Sequence, residues 1–256
     1  MVDTVSTLND EWLAKSFAGY SAVLHVAAVV HQKEGPEMAD LYKKVNTQLT
    51  IDIAGKSKRD GVRQFIFMST MNVYGRETGT INSDTLPAPK TMYGKSKLDA
   101  ERLLKELADE SFQVAVLRPP MVYGPGCPGN YARLTKLIKK TPVFPKVFNK
   151  RSMIYIENLC EFLRQIIDNK ERHYKNDFKV FFPQNKEYVC TSELAACIAK
   201  NYGKRLRFSR LLGGLAGAVP LNMLRKVFGS LVYEKSMSSD FSYSVVDFEE
   251  SVHRSV

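Results

Sequence analysis

No apolar run in this 256-residue chain is long enough to span a bilayer. The best candidate, Leu211 to Leu224, is short and is interrupted by Gly213, Gly214, Gly217 and Pro220. The N-terminal MVDTVSTLND lacks the basic and apolar regions of a signal peptide, so none is expected. Only four cysteines occur, Cys127, Cys160, Cys190 and Cys197, and no two form a CxxC pair. That scarcity implies free thiols in a reducing, cytoplasmic setting and excludes a disulfide frame or a cysteine-built metal site. Repeats and low-complexity segments are absent as well. Acidic residues are missing from two long stretches, Ser111 to Ile156 and Leu194 to Tyr233. The first carries Arg118, Arg133, Lys136, Lys139, Lys140, Lys146, Lys150 and Arg151, within a chain of net charge +10. Such clustering favours an anionic partner. No nucleic-acid-binding signature accompanies it, so nucleic acid is not the expected partner. Membrane-surface docking through the basic C-terminal part and Leu211–Val227 is one expectation, and burial of that stretch as a helix is the other.

The composition that is present is ordinary for a globular protein. Hydrophobic residues make up 44%, charged residues 25%, and mean hydropathy is −0.24. Short apolar runs alternate with longer helical patterns. Strands are expected at Ala22–Ala28, Gln64–Met68 and Gln113–Arg118, with helices at Met38–Arg59 and Met92–Ala108. Helical crossovers of this length imply a parallel α/β sheet. After Pro119, prolines and glycines cluster and the pieces shorten. A helix is expected near Asn130–Lys139, a strand near Ile154 and a helix at Glu157–Ile167. A strand follows at Phe178–Phe182, then a helix at Thr191–Tyr202 capped by Thr191 or Ser192. A sheet domain over 1–125 and a smaller lobe over 126–256, with segments returning to the sheet, is the expected organisation.

Three local patterns carry chemistry. His25-Val26-Ala27-Ala28 ends a strand in small residues, which lets a flat cofactor approach the backbone. Ser69-Thr70-Met71-Asn72-Val73-Tyr74-Gly75 follows the next strand and presents hydroxyls. Tyr93-Gly94-Lys95-Ser96-Lys97 opens a helix, and Tyr93 and Lys97 share one face at a spacing of four. A lysine cation beside a phenol favours phenolate, so a Tyr93 pKa below the usual value of about 10 is expected. Tyr93 is then a candidate acid/base for a sugar hydroxyl, with Thr70 holding the same oxygen. A lone YxxxK is near chance in a chain with 12 tyrosines. The three patterns in order are far more specific.

These residues make the chain resemble the extended short-chain dehydrogenase/reductases, in the branch of nucleoside-diphosphate-sugar epimerases and dehydratases. The resemblance implies a Rossmann-type parallel sheet flanked by helices, with a smaller C-terminal substrate lobe. It implies Thr70, Tyr93 and Lys97 as catalytic residues. It also implies Ala27, Ala28, Ser69, Tyr93, Lys97, Pro119 and Pro120 beside NAD, or alternatively NADP. Asn46 matches a helix asparagine tied to structure near the site. Thr70, Asn130 and Arg151 match substrate contacts, Arg151 on the diphosphate of a UDP-sugar, and no metal is implied. A homodimer through the helices at 38–59 and 92–108 is implied as well. The expected activity is C4 epimerisation. The alternatives are 4-keto-sugar reduction with the same residues and a non-enzymatic dinucleotide-binding module.

The chain departs from the resemblance in three places. The family's GxxGxxG turn, which cradles a cofactor pyrophosphate, is absent from the sequence. N-terminal strands of the sheet are therefore expected to be missing, leaving Ala22–Ala28 as an exposed hydrophobic edge, with cofactor binding by the chain as written weak or absent. Thr70-Met71-Asn72 lacks the acids that the dehydratases carry before VYG, which argues against dehydration. Met121 stands where the family often has Asn. That variant resembles the branch of surface-polysaccharide 4-epimerases and 4-keto-sugar reductases.

Overall fold

The computed structural model describes residues 2–30, 32, 34–168, 177–212, 228–238 and 241–256. They form two compact units. The first comprises residues 1–73, 89–118 and 166–180, and the second comprises 74–88, 119–165 and 181–256.

The first unit is built on a four-stranded sheet of order β1-β2-β4-β8, with β1 Val23–His25, β2 Gln64–Met68, β4 Gln113–Leu117 and β8 Phe178–Phe181. β1 runs parallel to β2, pairing Leu24 with Ile66, and β2 runs parallel to β4, pairing Ile66 with Ala115. Phe65, Ile66 and Phe67 of β2, and Val114 to Leu117 of β4, are fully buried. Such continuous apolar runs are what a parallel sheet covered on both faces requires. Among the described residues β1 is an edge strand, and Leu24 and Val26 there are exposed. The strand is shorter than the expected Ala22–Ala28 because the chain leaves the ladder after His25.

The helix expected over Met38–Arg59 forms, with a change of winding inside it. A 3-10 turn at Pro36–Met38 leads into α2 (Ala39–Tyr42), a π-helical segment at Lys43–Gln48, and α3 (Leu49–Arg59). Helix α4 (Met92–Leu107) buries Gly94, Lys97, Leu98, Glu101 and Leu104, a 3.6-period stripe. Trp12 from the short helix α1 (Glu11–Ala14) joins a core with Ile53, Ala54, Phe65, Phe67, Leu104, Phe112 and Val114.

The second unit holds three two-stranded parallel pairings. β3 (Gly79–Ile81) pairs with β10 (Leu231–Tyr233), β5 (Met121–Tyr123) with β7 (Met153–Tyr155), and β6 (Val143–Pro145) with β9 (Arg207–Ser209). Its helices are α5 (Asn130–Lys140), α6 (Ile156–Asp168), which continues into the first unit, α7 (Thr191–Asn201) and α8 (Phe248–Arg254). Its core gathers Tyr123, Tyr131, Ile138, Phe144, Tyr155, Leu194 and Ile198.

The expected cap of α7 is corrected. Cys190 occupies the cap position with no side-chain cap bond. Thr191 Oγ1 instead accepts from Asn149 Nδ2 at 2.8 Å, and Ser192 Oγ accepts from the Val147 amide at 2.8 Å. Both hydroxyls are drawn away by the loop after β6, where the Val147 amide and the buried Asn149 side chain need a partner. Leu211 and Leu212 are described and exposed, whereas the rest of the Leu211–Val227 stretch lies outside the described residues. No described helix is long and apolar enough to cross a membrane.

Candidate active site

The start of α4 is fixed by two independent devices. Thr91 caps the helix by accepting from the Gly94 amide at 3.0 Å. The Glu34 carboxylate accepts from the Met92 and Tyr93 amides at 2.9 and 3.1 Å, placing negative charge at the helix N-terminus. Gly94 lets the helix approach the loop after β2. A Cβ there would lie 2.8 Å from the Asn72 carbonyl oxygen and 3.1 Å from the Pro89 side chain. This close approach sets the Tyr93 phenol near enough to the Thr70 side chain for Thr70 to favour its deprotonated form.

Burial raises Tyr93 to about 12, against the lowering effect of Thr70. The expected downward shift caused by Lys97 is therefore corrected, since Lys97 is not among the groups that set the tyrosine. Desolvation dominates, because a phenolate in a dry site loses more solvation than its neighbours return. Lys97 is itself fully buried, with Nζ 4.5 Å from the centroid of the Phe67 ring. Its ammonium has no hydrogen-bond partner among the described residues. Burial lowers it to about 7, opposed by the charge of Glu101.

The sign of the resulting pH effect follows directly. Above pH 7 the folded state releases a proton that unfolded lysine keeps until about pH 10.4, so Lys97 makes stability rise with pH across that window. Below pH 7 the penalty of burying the cation is complete. Lys97→Met is accordingly expected to raise stability by about 1–4 kcal/mol at pH 7. In urea unfolding the gap between variant and parent should narrow towards pH 9.5. A destabilised variant, or a gap independent of pH, contradicts the assignment.

Further along the same face, Glu101 is buried and accepts from Ser69 Oγ and from Arg118, whose Nε lies at 3.1 and 3.2 Å and Nη2 at 2.5 Å. Arg118 is thus withdrawn from the basic surface implied by its sequence neighbourhood. Glu101 and Arg118 were missed because each reads as one more surface charge. The available signal was the spacing Tyr93, Lys97, Glu101, a repeat of four along the buried stripe of α4.

The strand-end segment after β1 is held from the π-helical segment. Asn46, fully buried, accepts from the Val29 amide at 2.7 Å, donates to the Val29 carbonyl at 3.0 Å and donates to Ser96 Oγ at 3.1 Å. Asn46 lies within the π-helical segment. His25 Nε2 lies 3.1 Å from Thr50 Oγ1, and burial and the Lys97 charge lower the imidazole to about 3. Ala27 and Ala28 follow as half-buried residues with no side chain beyond Cβ.

The first unit therefore sets Thr70 beside Tyr93 and carries Lys97 one turn further along α4, with Ser69 turned to Glu101. Pro119 and Pro120 are buried directly after Arg118 in the chain. In the second unit, Asn130 and Arg151 line one pocket with Met121, Leu134, Met153 and Thr191. Asn130 opens α5, after Gly129 at φ +96°, and Arg151 Nη1 donates to the Gly229 carbonyl at 2.8 Å. No group of three His, Cys, Asp or Glu able to hold a metal ion occurs among the described residues. The described cysteines are free thiols.

The profile of the NAD dependent epimerase/dehydratase family matches residues 2–180, and the chain belongs to that family. A UDP-glucose 4-epimerase of Vibrio cholerae is 35% identical over 188 residues, covering 70% of this chain and 56% of the relative. An N-acetyl-α-D-glucosaminyl-diphospho-ditrans,octacis-undecaprenol 4-epimerase of Escherichia coli O157:H7 is 27% identical over 85% of this chain and 66% of the relative. The chain thus spans roughly half to two-thirds of the length of these relatives. Among solved structures, a UDP-N-acetylglucosamine 4-epimerase from Bacillus cereus superposes with a TM-score of 0.69 at 18% identity, covering 98% of this chain and 84% of that one. A UDP-glucuronic acid 4-epimerase from Bacillus cereus in complex with NAD gives 0.67 at 20% identity, covering 93% and 73%. These two establish the shared α/β fold.

Proposed function

We propose that the whole protein is a cytoplasmic, NAD-dependent epimerase that inverts C4 of a UDP-sugar. The observation that carries this reading is the Thr70–Tyr93 hydroxyl pair one helical turn from the buried Lys97 ammonium, which has no hydrogen-bond partner among the described residues. An orphaned buried cation is costly, and a pair of ribose hydroxyls is a ligand suited to it. The site fits the nicotinamide-ribose end of NAD, with Lys97 holding the ribose and Ala27, Ala28, Ser69, Pro119 and Pro120 along the cofactor. When bound, NAD supplies reversible hydride acceptance.

Tyr93 Oη is where the proton of the sugar hydroxyl is held and returned, and Thr70 orients that hydroxyl against it. Burial holds the phenol at about 12, so it carries the proton in the resting site, and the Thr70 hydroxyl is the group that favours its release. The first-turn amides of α5 at Asn130, which have no side-chain cap among the described residues, and the Arg151 guanidinium are suited to a diphosphate. A homodimer through the helices at 38–59 and 92–108 is part of the reading, supported by exposed Leu41 and Leu103 on those helices. The relative named for an undecaprenol-linked sugar adds a lipid diphosphate sugar as a second substrate reading, favoured by the surface described next.

The test is to incubate the full-length gene product with NAD and, separately, UDP-glucose, UDP-galactose and UDP-N-acetylglucosamine, and to follow products by NMR. Inversion at C4 with unchanged cofactor is expected. Oxidation of one NAD(P)H per 4-keto-sugar consumed would replace the epimerase by the ketoreductase. Cofactor binding without either reaction would leave a non-enzymatic dinucleotide module.

A further inference from the structure

The parallel β6–β9 pairing sends two chain segments out of the second unit side by side. Pairing of Phe144 with Phe208 and Pro145 with Ser209 continues through the Lys146 amide, which donates to the Ser209 carbonyl at 2.9 Å. Beyond that bond the two segments are Val147-Phe148 and Arg210-Leu211-Leu212. Phe148 is 82% exposed and Leu211 83% exposed, with Leu212 and Phe208 also in solvent. The Lys146 ammonium lies over the Phe148 ring, 5.6 Å from its centroid. Exposed cations flank this apolar tip: Lys150 on the first segment, and Arg205, Arg207 and Arg210 on the second.

The neighbouring α5 extends the same chemistry. Lys204, just before β9, donates from Nζ to the Ile138 and Lys139 carbonyls at the end of α5, tying that helix to the strand pair. Lys136, Leu137 and Lys140 are exposed on α5. No acidic residue occurs in Asn130–Arg151 or Tyr202–Leu212.

Large exposed apolar side chains ringed by lysine and arginine are the composition of an interfacial anchor. The apolar tip enters the headgroup region and the cations meet anionic lipid. A nucleic-acid surface would use the cations and leave Leu211 and Leu212 without a role, since aliphatic side chains offer bases no stacking face. We propose that this tip, Lys146–Lys150 with Arg205–Leu212, docks the protein on the surface of an anionic lipid bilayer. The surface lies outside the candidate catalytic residues, so its test is separate from the test of enzymatic activity.

The experiment is co-sedimentation of the whole chain with sucrose-loaded vesicles of phosphatidylcholine and phosphatidylglycerol at 70:30, against phosphatidylcholine alone. Expected is a partition at least tenfold higher into the anionic vesicles in 50 mM NaCl, falling in 500 mM NaCl. Each basic residue near such a surface is worth about fivefold in partition. Lys146→Glu with Arg210→Glu should therefore lower partition at least tenfold. Phe148→Ser with Leu211→Ser should do the same. All four residues are at the surface, and thermal unfolding of both double variants should match the parent. Equal partition into the two vesicle types, or no partition of the parent, overturns the proposal. Full binding by the Phe148/Leu211 variant overturns it too. So does complete competition by a DNA duplex at equal phosphate concentration, which would make the surface a general polyanion site.

Discussion

Replacing Glu101 by alanine is expected to lower stability by about 3–5 kcal/mol, the loss typical of breaking a buried ion pair from one side. Glu101 joins three parts of the first unit: helix α4, Ser69 at the end of β2, and Arg118 at the end of β4. Its removal leaves the buried Arg118 guanidinium without that carboxylate and deprives Ser69 Oγ of its acceptor. It also removes the nearby negative charge that favours the cationic form of Lys97. Replacing both partners, Glu101→Leu with Arg118→Leu, should recover most of the loss, because the desolvated charge then disappears with its partner. Urea unfolding at pH 7 measures both quantities. A loss below about 1 kcal/mol for Glu101→Ala, or a double variant worse than the single one, would show that the pair is not holding these strand ends.

Removing the phenolic hydroxyl of Tyr93 is expected to reduce turnover by a factor of about 10²–10⁴, the range for a general acid/base in direct contact with the reacting group. Tyr93→Phe keeps the ring that fills the space beside Thr70 and removes only the atom that holds the proton. Its stability should stay within about 1 kcal/mol of the parent, the net worth of one hydrogen bond. Activity lost together with stability would point to misfolding. Activity within a factor of about 10 of the parent would remove Tyr93 from the reaction.

The features legible in the sequence share one cause, a strong local pattern. QFIFM and QVAVL are apolar on both faces and became the central strands β2 and β4. Tyr93 and Lys97 on α4 were legible because the helix period puts residues four apart on one face. Other features depend on distant partners that no window of sequence contains. The π-helical segment at Lys43–Gln48 looks like ordinary helix in sequence, and only its packing on α4 through Asn46 and Ser96 shows what the change of winding does. Thr191 and Ser192 have the chemistry of caps, yet the loop around Val147 and Asn149 takes both hydroxyls. The Tyr93 pKa was placed on the wrong side of 10 because the charge of Lys97 can be read from a spacing, whereas the larger desolvation cost of the pocket cannot. Glu101 and Arg118 lie 17 positions apart, and only the packing of α4 against the end of β4 brings them into contact.

The most direct test of the proposed chemistry uses UDP-galactose carrying deuterium at C4, incubated with the full-length gene product and NAD in ordinary water. If hydride leaves C4 to the nicotinamide and returns to the opposite face, the UDP-glucose formed keeps its deuterium at C4 and takes up no solvent hydrogen there. Loss of the label to water, or an inverted product bearing solvent hydrogen at C4, would contradict a hydride-transfer epimerase and return Tyr93 and Lys97 to a different chemistry.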